Sequence, residues 1–188
     1  MKTSLTKENT LIAVAMEEEF SSEKANGWRI VYTGIGKVNA LISVYRALSE
    51  EKPINIINFG TAGSSRSDLK GLHEVTTFKQ RDMDLRDIGL PLGVTLNDDI
   101  NDIAFDRPGL SCGTGDNFVQ GDKLIPYSDV YDMEAYALAK VCHAYNVDFI
   151  SFKYITDNAN ESSPKDWEEN LADGIKVFKD KVLNYVEG

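Results

Sequence analysis

Cysteine and histidine are scarce in this chain of 188 residues, with two of each. Cys112 and Cys142 are too few to read as a disulfide framework. His73 and His143 stand alone, and no His, Cys and carboxylate cluster has the spacing of a metal site. Long apolar runs are also missing. The run from Leu11 to Met16 meets three glutamates, and no stretch approaches the roughly 18 residues that a bilayer-spanning helix needs. Cationic charge is in deficit: 20 Lys and Arg stand against 30 Asp and Glu, a net charge of −10. That balance argues against nucleic acid or an anionic membrane as the main partner. Several nucleotide and nucleophile motifs are absent as well. The stretch "TGIGKVNA" has G-x-G without the third glycine of a dinucleotide fingerprint, and there is no phosphate loop or G-x-S-x-G elbow.

What is present is the pattern of one α/β domain over 1–188, with a central mixed, largely parallel sheet flanked by helices. Apolar runs at 10–16, 28–34, 54–60, 73–79 and 148–157 read as strands, and 109–118 starts strand-like and ends in a Gly-rich turn. Helical periods follow at 36–51, with Val38, Leu41, Val44, Tyr45 and Leu48 on one face. The stretch 130–146 reads as a second helix whose core face is Ala135, Leu138, Ala139, Cys142 and Tyr145. A third begins with Ser163 as cap and Pro164 at its first position, then repeats Trp167, Leu171, Ile175, Phe178, Val182 and Tyr185. In such sheets ligands gather beyond the strands' C-terminal ends. That rule points to Met16–Glu19, Gly60–Ser64, Gly115–Val119 and Thr156–Asp157.

Three carboxylates fall at or near those places: Glu19 after a buried strand, Asp157 at the end of another, and Glu134 in a first helical turn. Each has an ordinary reading: a solvated loop, a turn, and a favourable dipole contact. Together with Gly-rich backbone and Phe118 they suit metal-free acid–base chemistry on a small molecule.

The motifs "AMEEEF" (15–20), "TGIGKVNA" (33–40), "INFGTAGS" (57–64), "TGDNFV" (114–119), "YDMEAYALAKVC" (131–142) and "FKYITDNA" (152–159) occur in this order. As a set they resemble the nucleoside phosphorylase superfamily, and within it the 5′-methylthioadenosine/S-adenosylhomocysteine nucleosidases. The resemblance implies that Glu19 activates a water and that Asp157 protonates N7 of the departing purine. It implies that Glu134 and Met133 hold the ribose, Phe118 stacks on the base, and the Val119 backbone bonds the base edge. Thr61, Ala62 and Gly63 would line the ribose and water side. Lys153 falls where relatives commonly carry arginine near the water. Asp132 is left with the work of a helix cap.

The resemblance also implies a cytoplasmic enzyme that needs no cofactor, takes a small purine nucleoside, and pairs as a homodimer. A glutamate-rich loop at the acceptor site favours water over phosphate, with Arg81 as the residue against that view. The chain is short for the family between about Asp82 and Leu110, which leaves the 5′ substituent open. A phosphorylase, a nucleosidase for another nucleoside, and a nucleoside-binding module with little turnover remain the alternatives.

Overall fold

The computed structural model of the chain describes residues 5–64, 66–119, 127–157 and 164–184, with backbone alone at 157 and 164–170. The order is β1 (Thr10–Val14), β2 (Arg29–Tyr32), α1 (Lys37–Glu51), β3 (Asn55–Ser64), β4 (Gly71–Gln80), β5 (Ile103–Ala104), β6 (Leu110–Thr114), β7 (Val130–Asp132), α2 (Ala135–Ala144), β8 (Asp148–Asp157) and α3 (Pro164–Phe178). Ser163, Tyr185, and the side chains of Asp157 and Trp167 lie outside the described residues. Among the described residues no helix is long and apolar enough to cross a membrane.

The eight strands form one mixed sheet, with neighbours in the order β2-β1-β3-β7-β6-β4-β5 and β8 bridging β3 and β4. A sheet merely flanked by helices is therefore not the whole description. The ring β3-β8-β4-β6-β7 closes on itself as a barrel. Closure follows from strand length and bending. β8 runs parallel to β3 from Asn55↔Asp148 onward, and its second half pairs antiparallel with β4, Ile155 opposite Gly71 and Ser151 opposite Val75. The β3–β8 register shifts between Ala62 and Gly63, an irregularity of the kind that sharpens bending. Just beyond it, Gly63 and Ser64 turn their other edge to Tyr131 and Val130 of β7. Gly60–Ser64, expected to lie beyond a strand, is thus the second half of a long one. Val130–Asp132 is likewise a strand rather than the start of a helix.

β1 reads as an unbroken apolar run because both its faces are covered. Leu11 and Ala13 belong to a core shared with α1 and α2, while Ile12 and Val14 belong to one shared with α3. The second core is aromatic. Phe178 lies 4.3 Å from Phe59, nearly parallel to it, and meets Phe20 edge-on at 5.6 Å. Leu171, Ile175, Phe178 and Val182 are buried, as their spacing predicts.

The face of α1 differs from expectation. Val44 and Leu48 are buried, but with Ala40 and Ala47, while Val38, Leu41 and Tyr45 are exposed. Small residues let the helix lie close to its neighbours, and the bulky ones point outward. Tyr145 of the segment after α2 is also exposed, and its ring meets Tyr45 edge-on at 5.8 Å.

Docking of α3 on the β3 face rests on the aromatic cluster. Phe178→Ala is expected to cost about 3–5 kcal/mol of unfolding free energy, whereas Val38→Ala, on an exposed helix face, stays within about 0.5 kcal/mol. Denaturant unfolding of the two variants checks this; equal effects would contradict the packing account.

Candidate active site

Glu19 sits in the turn after β1 and is only 5% exposed. Its Oε1 accepts the backbone N–H of Thr61 at 3.1 Å and the Thr61 hydroxyl at 3.0 Å. Its Oε2 is buried and accepts no hydrogen bond from the described residues. One oxygen is thus anchored to β3, and the other is available to a water or a substrate hydroxyl.

Lys153 of β8 approaches from beneath. Its ammonium pairs with Asp132 Oδ2 at 2.8 Å, the two side chains being 2% and 1% exposed. Gly60 lies between this cation and the base. A Cβ built there would stand 3.3 Å from Lys153 Nζ and 3.6 Å from Glu19 Oε1. Its backbone angles are ordinary, so the glycine is needed for space rather than for conformation.

Glu134 stands at the position before Ala135, makes no side-chain capping bond to α2, and reaches across to α1. Its Oε1 accepts the N–H of Gly36 at 2.9 Å. Gly36 has φ +91°, and a Cβ there would come 3.1 Å from Asp116 Oδ1. Only glycine suits that backbone and keeps the N–H aimed at the carboxylate. Burial, and then the negative charge of Asp132, push Glu134 up to about 7. Glu19 adds to this repulsion, and Lys153 opposes it. Asp132 itself is held below the usual carboxylate range: burial works to raise it, but Lys153 and its hydrogen-bond donors win. Lys153 is held above the usual lysine range, because the charges of Asp132 and Glu134 outweigh burial. Burial and the Asp132 charge push the Cys112 thiol well up, so it is no nucleophile.

The structure therefore brings Glu19, Thr61, Lys153 and Glu134 together. Met133 is half-buried between Asp132 and Glu134, Ala62 is buried, and Gly63 pairs with both Tyr131 and Asp157. That pairing brings the backbone of Asp157 to the same part of β3. Val119 is half-buried, and Phe118 is 82% exposed.

Arg81 is committed elsewhere. Its Nη1 donates to Asn117 Oδ1 at 2.6 Å, and its Nη2 donates to the carbonyls of Gly115 and Asn117. With Lys37 paired to Asp82 and the Lys37 N–H bonded to Asp116, these contacts tie the 115–119 loop to β4 and α1. Sequence reading missed Asp132 beyond its cap, the Gly36 donor and the spacing role of Gly60. The signal for Gly36 was there in the second glycine of "TGIGKV".

A model of the phosphorylase superfamily matches residues 122–187. A 5′-methylthioadenosine/S-adenosylhomocysteine nucleosidase of Shewanella sediminis is 30% identical over 182 residues, covering 81% of this chain and 79% of that protein. The chain belongs to the phosphorylase superfamily, among its nucleosidases. Such proteins are hydrolases of N-glycosidic bonds. The fold agrees with this placement. A Campylobacter jejuni nucleosidase of the same name superposes with TM-score 0.82 at 22% identity, covering 95% of this chain and 98% of that one. Futalosine hydrolase of Helicobacter pylori superposes with TM-score 0.80 at 20% identity, covering 93% and 97%.

The raised Glu134 has a consequence for stability. Below about pH 4.5 the carboxyl is protonated in both folded and unfolded chains, and its contribution is fully present. As pH rises through about 7 the unfolded chain has shed the proton and the folded one gives it up reluctantly, so stability is lost. Glu134→Gln is expected to match the unmodified protein near pH 4.5 and to exceed it by about 3 kcal/mol at pH 8. Chemical denaturation at the two pH values measures this; a difference independent of pH would refute it.

Proposed function

We propose that the protein is a purine nucleosidase that hydrolyses 5′-modified adenosines such as methylthioadenosine and S-adenosylhomocysteine to release adenine. The observation that carries the reading is the Glu19 carboxylate, one oxygen anchored by Thr61 and the other buried and unpartnered. A base so held can take a proton from water attacking C1′ of the sugar. The C1′–N9 bond breaks, and its electron pair leaves with the purine. In this reading Asp157 gives a proton to N7, so that the base departs neutral. Glu134 receives the ribose hydroxyls, and Met133 offers them an apolar wall. The carboxylates also stabilise positive charge developing on the sugar. Phe118 and Val119 supply the base side, and Ala62 and Gly63 border the ribose. No cofactor enters this chemistry.

Water is preferred over phosphate on electrostatic grounds. An incoming phosphate would face Glu19, while Arg81 is spent on the Gly115 carbonyl and on the side chain and carbonyl of Asn117, and Lys153 on Asp132. The likeness in fold to futalosine hydrolase supports one second reading, a related nucleoside with a different 5′ group.

Purified protein is expected to release adenine from methylthioadenosine without phosphate. Glu19→Gln and Asp157→Asn should each lose about 10²–10⁴-fold in kcat while keeping the fold. Release that requires phosphate would make the protein a phosphorylase. Tight nucleoside binding with no product would make it a binding module, and turnover confined to other nucleosides would move the substrate.

We also infer a homodimer built on α1. Val38, Leu41, Ile42, Tyr45 and Tyr145 form an outward apolar face of a kind that seeks cover. Light scattering should give twice the chain mass, and Leu41→Glu with Tyr45→Glu should give monomers. A monomeric unmodified protein would rule this out.

A further inference from the structure

Asp132 makes more contacts than a helix cap requires. Oδ2 accepts the N–H of Ala135 at 2.8 Å, which is the capping bond, and also the Lys153 ammonium at 2.8 Å. Oδ1 accepts the Thr114 hydroxyl at 2.6 Å and the Cys112 thiol at 3.3 Å. Four acceptor directions are thus used by donors from β6, α2 and β8. No acceptor is left for a substrate, and the side chain is 1% exposed. The Thr114 hydroxyl is itself fixed, since it accepts the Tyr136 N–H at 2.9 Å.

The cation held in this way lies against Gly60, on the side where Glu19 stands. Lysine carries a mobile point charge on a flexible stem, so its position depends on what grips it. A neutral group at 132 would release it to move toward either glutamate.

We propose that Asp132 is a positioning residue of the hydrolytic site, holding the Lys153 ammonium beneath Gly60 so that Glu19 and Glu134 keep distinct roles. The inference rests on the reading of the site as hydrolytic. With Lys153 fixed on Asp132, Glu19 keeps a free oxygen for water, and Glu134 stays bonded to Gly36 instead of collapsing onto the cation. The charged groups facing Glu134 are Asp132 from β7, Lys153 from β8 and Glu19 from the turn after β1. The Gly36 N–H faces it from the start of α1, and Cys112 of β6 reaches the pair through Asp132.

The test compares the unmodified protein with Asp132→Asn and with the neutral pair Asp132→Asn/Lys153→Met, in which no buried lysine is stranded. The titration of the Glu134 carboxyl is followed by carbon NMR in the absence of nucleoside, so it reads the site whether or not methylthioadenosine is turned over. In Asp132→Asn its midpoint should fall from about 7 towards the ordinary glutamate range, because a like charge is lost and a cation is freed. The neutral pair should fold and show a smaller fall. In the adenine-release assay kcat should drop about 100-fold in both, with KM within about threefold, as for a misplaced catalytic group. A folded variant that keeps the native midpoint and native kcat would reduce Asp132 to a helix cap and overturn the proposal. An unmodified protein that fails to release adenine defeats the hydrolytic reading instead, and the midpoint then still decides the placement of Lys153.

Discussion

Lys153 and Asp132 bring two full charges out of water, 2.8 Å apart and nearly inaccessible. Such a pair is costly to bury and seldom a net source of stability. What it supplies here is location. Lys153 comes from β8 and Asp132 from the end of β7, and both strands pair with β3 beside the residues that hold Glu19. β7 and β8 both pair with β3, so the two charges meet across it. Once they meet, Cys112 and Thr114 of β6 and the first N–H of α2 are drawn onto the same carboxylate. One carboxylate thus ties β6, β7 and β8 of the ring to the first turn of α2.

Around that pair the chain relies on backbone as much as on side chains. Thr61 presents an N–H and a hydroxyl to the same oxygen of Glu19. Gly36 presents its N–H to Glu134 at the start of α1, where the helix dipole favours negative charge. Three glutamate and aspartate carboxylates share a small volume with one lysine. Their repulsion is divided by fixed donors rather than by solvent. That is how one buried glutamate comes to hold its proton near neutrality while a neighbouring aspartate remains ionised.

Much of this was legible in the sequence, for identifiable reasons. β1 and β8 are apolar along their lengths because both faces are covered, and α3 carries a clean helical stripe. Glu19, Thr61, Glu134 and Lys153 stand in the short ordered motifs that carry the family resemblance. The α1 face was misjudged because periodicity counts bulk, while the interior accepted Ala40 and Ala47. Barrel closure was invisible, since it depends on β8 pairing with two strands at once, a long-range choice that no local pattern records. Asp132 was underread for a similar reason. A carboxylate ahead of a helix always looks like a cap, and only the fold reveals the lysine behind it.

β4 and β6 are neighbours in the ring and run parallel, so the segment between them crosses outside the closed wall. Along one edge of β4, β8 covers Gly71 to Val75 and the two-residue β5 covers Thr77 and Phe78. A crossover of this kind can be lengthened or trimmed without opening the ring. None of the residues gripping Lys153 or Glu19 lies within it. The Lys153–Asp132 pair and the Thr61 anchor of Glu19 are therefore held by strands whose pairing does not depend on the length of that crossover.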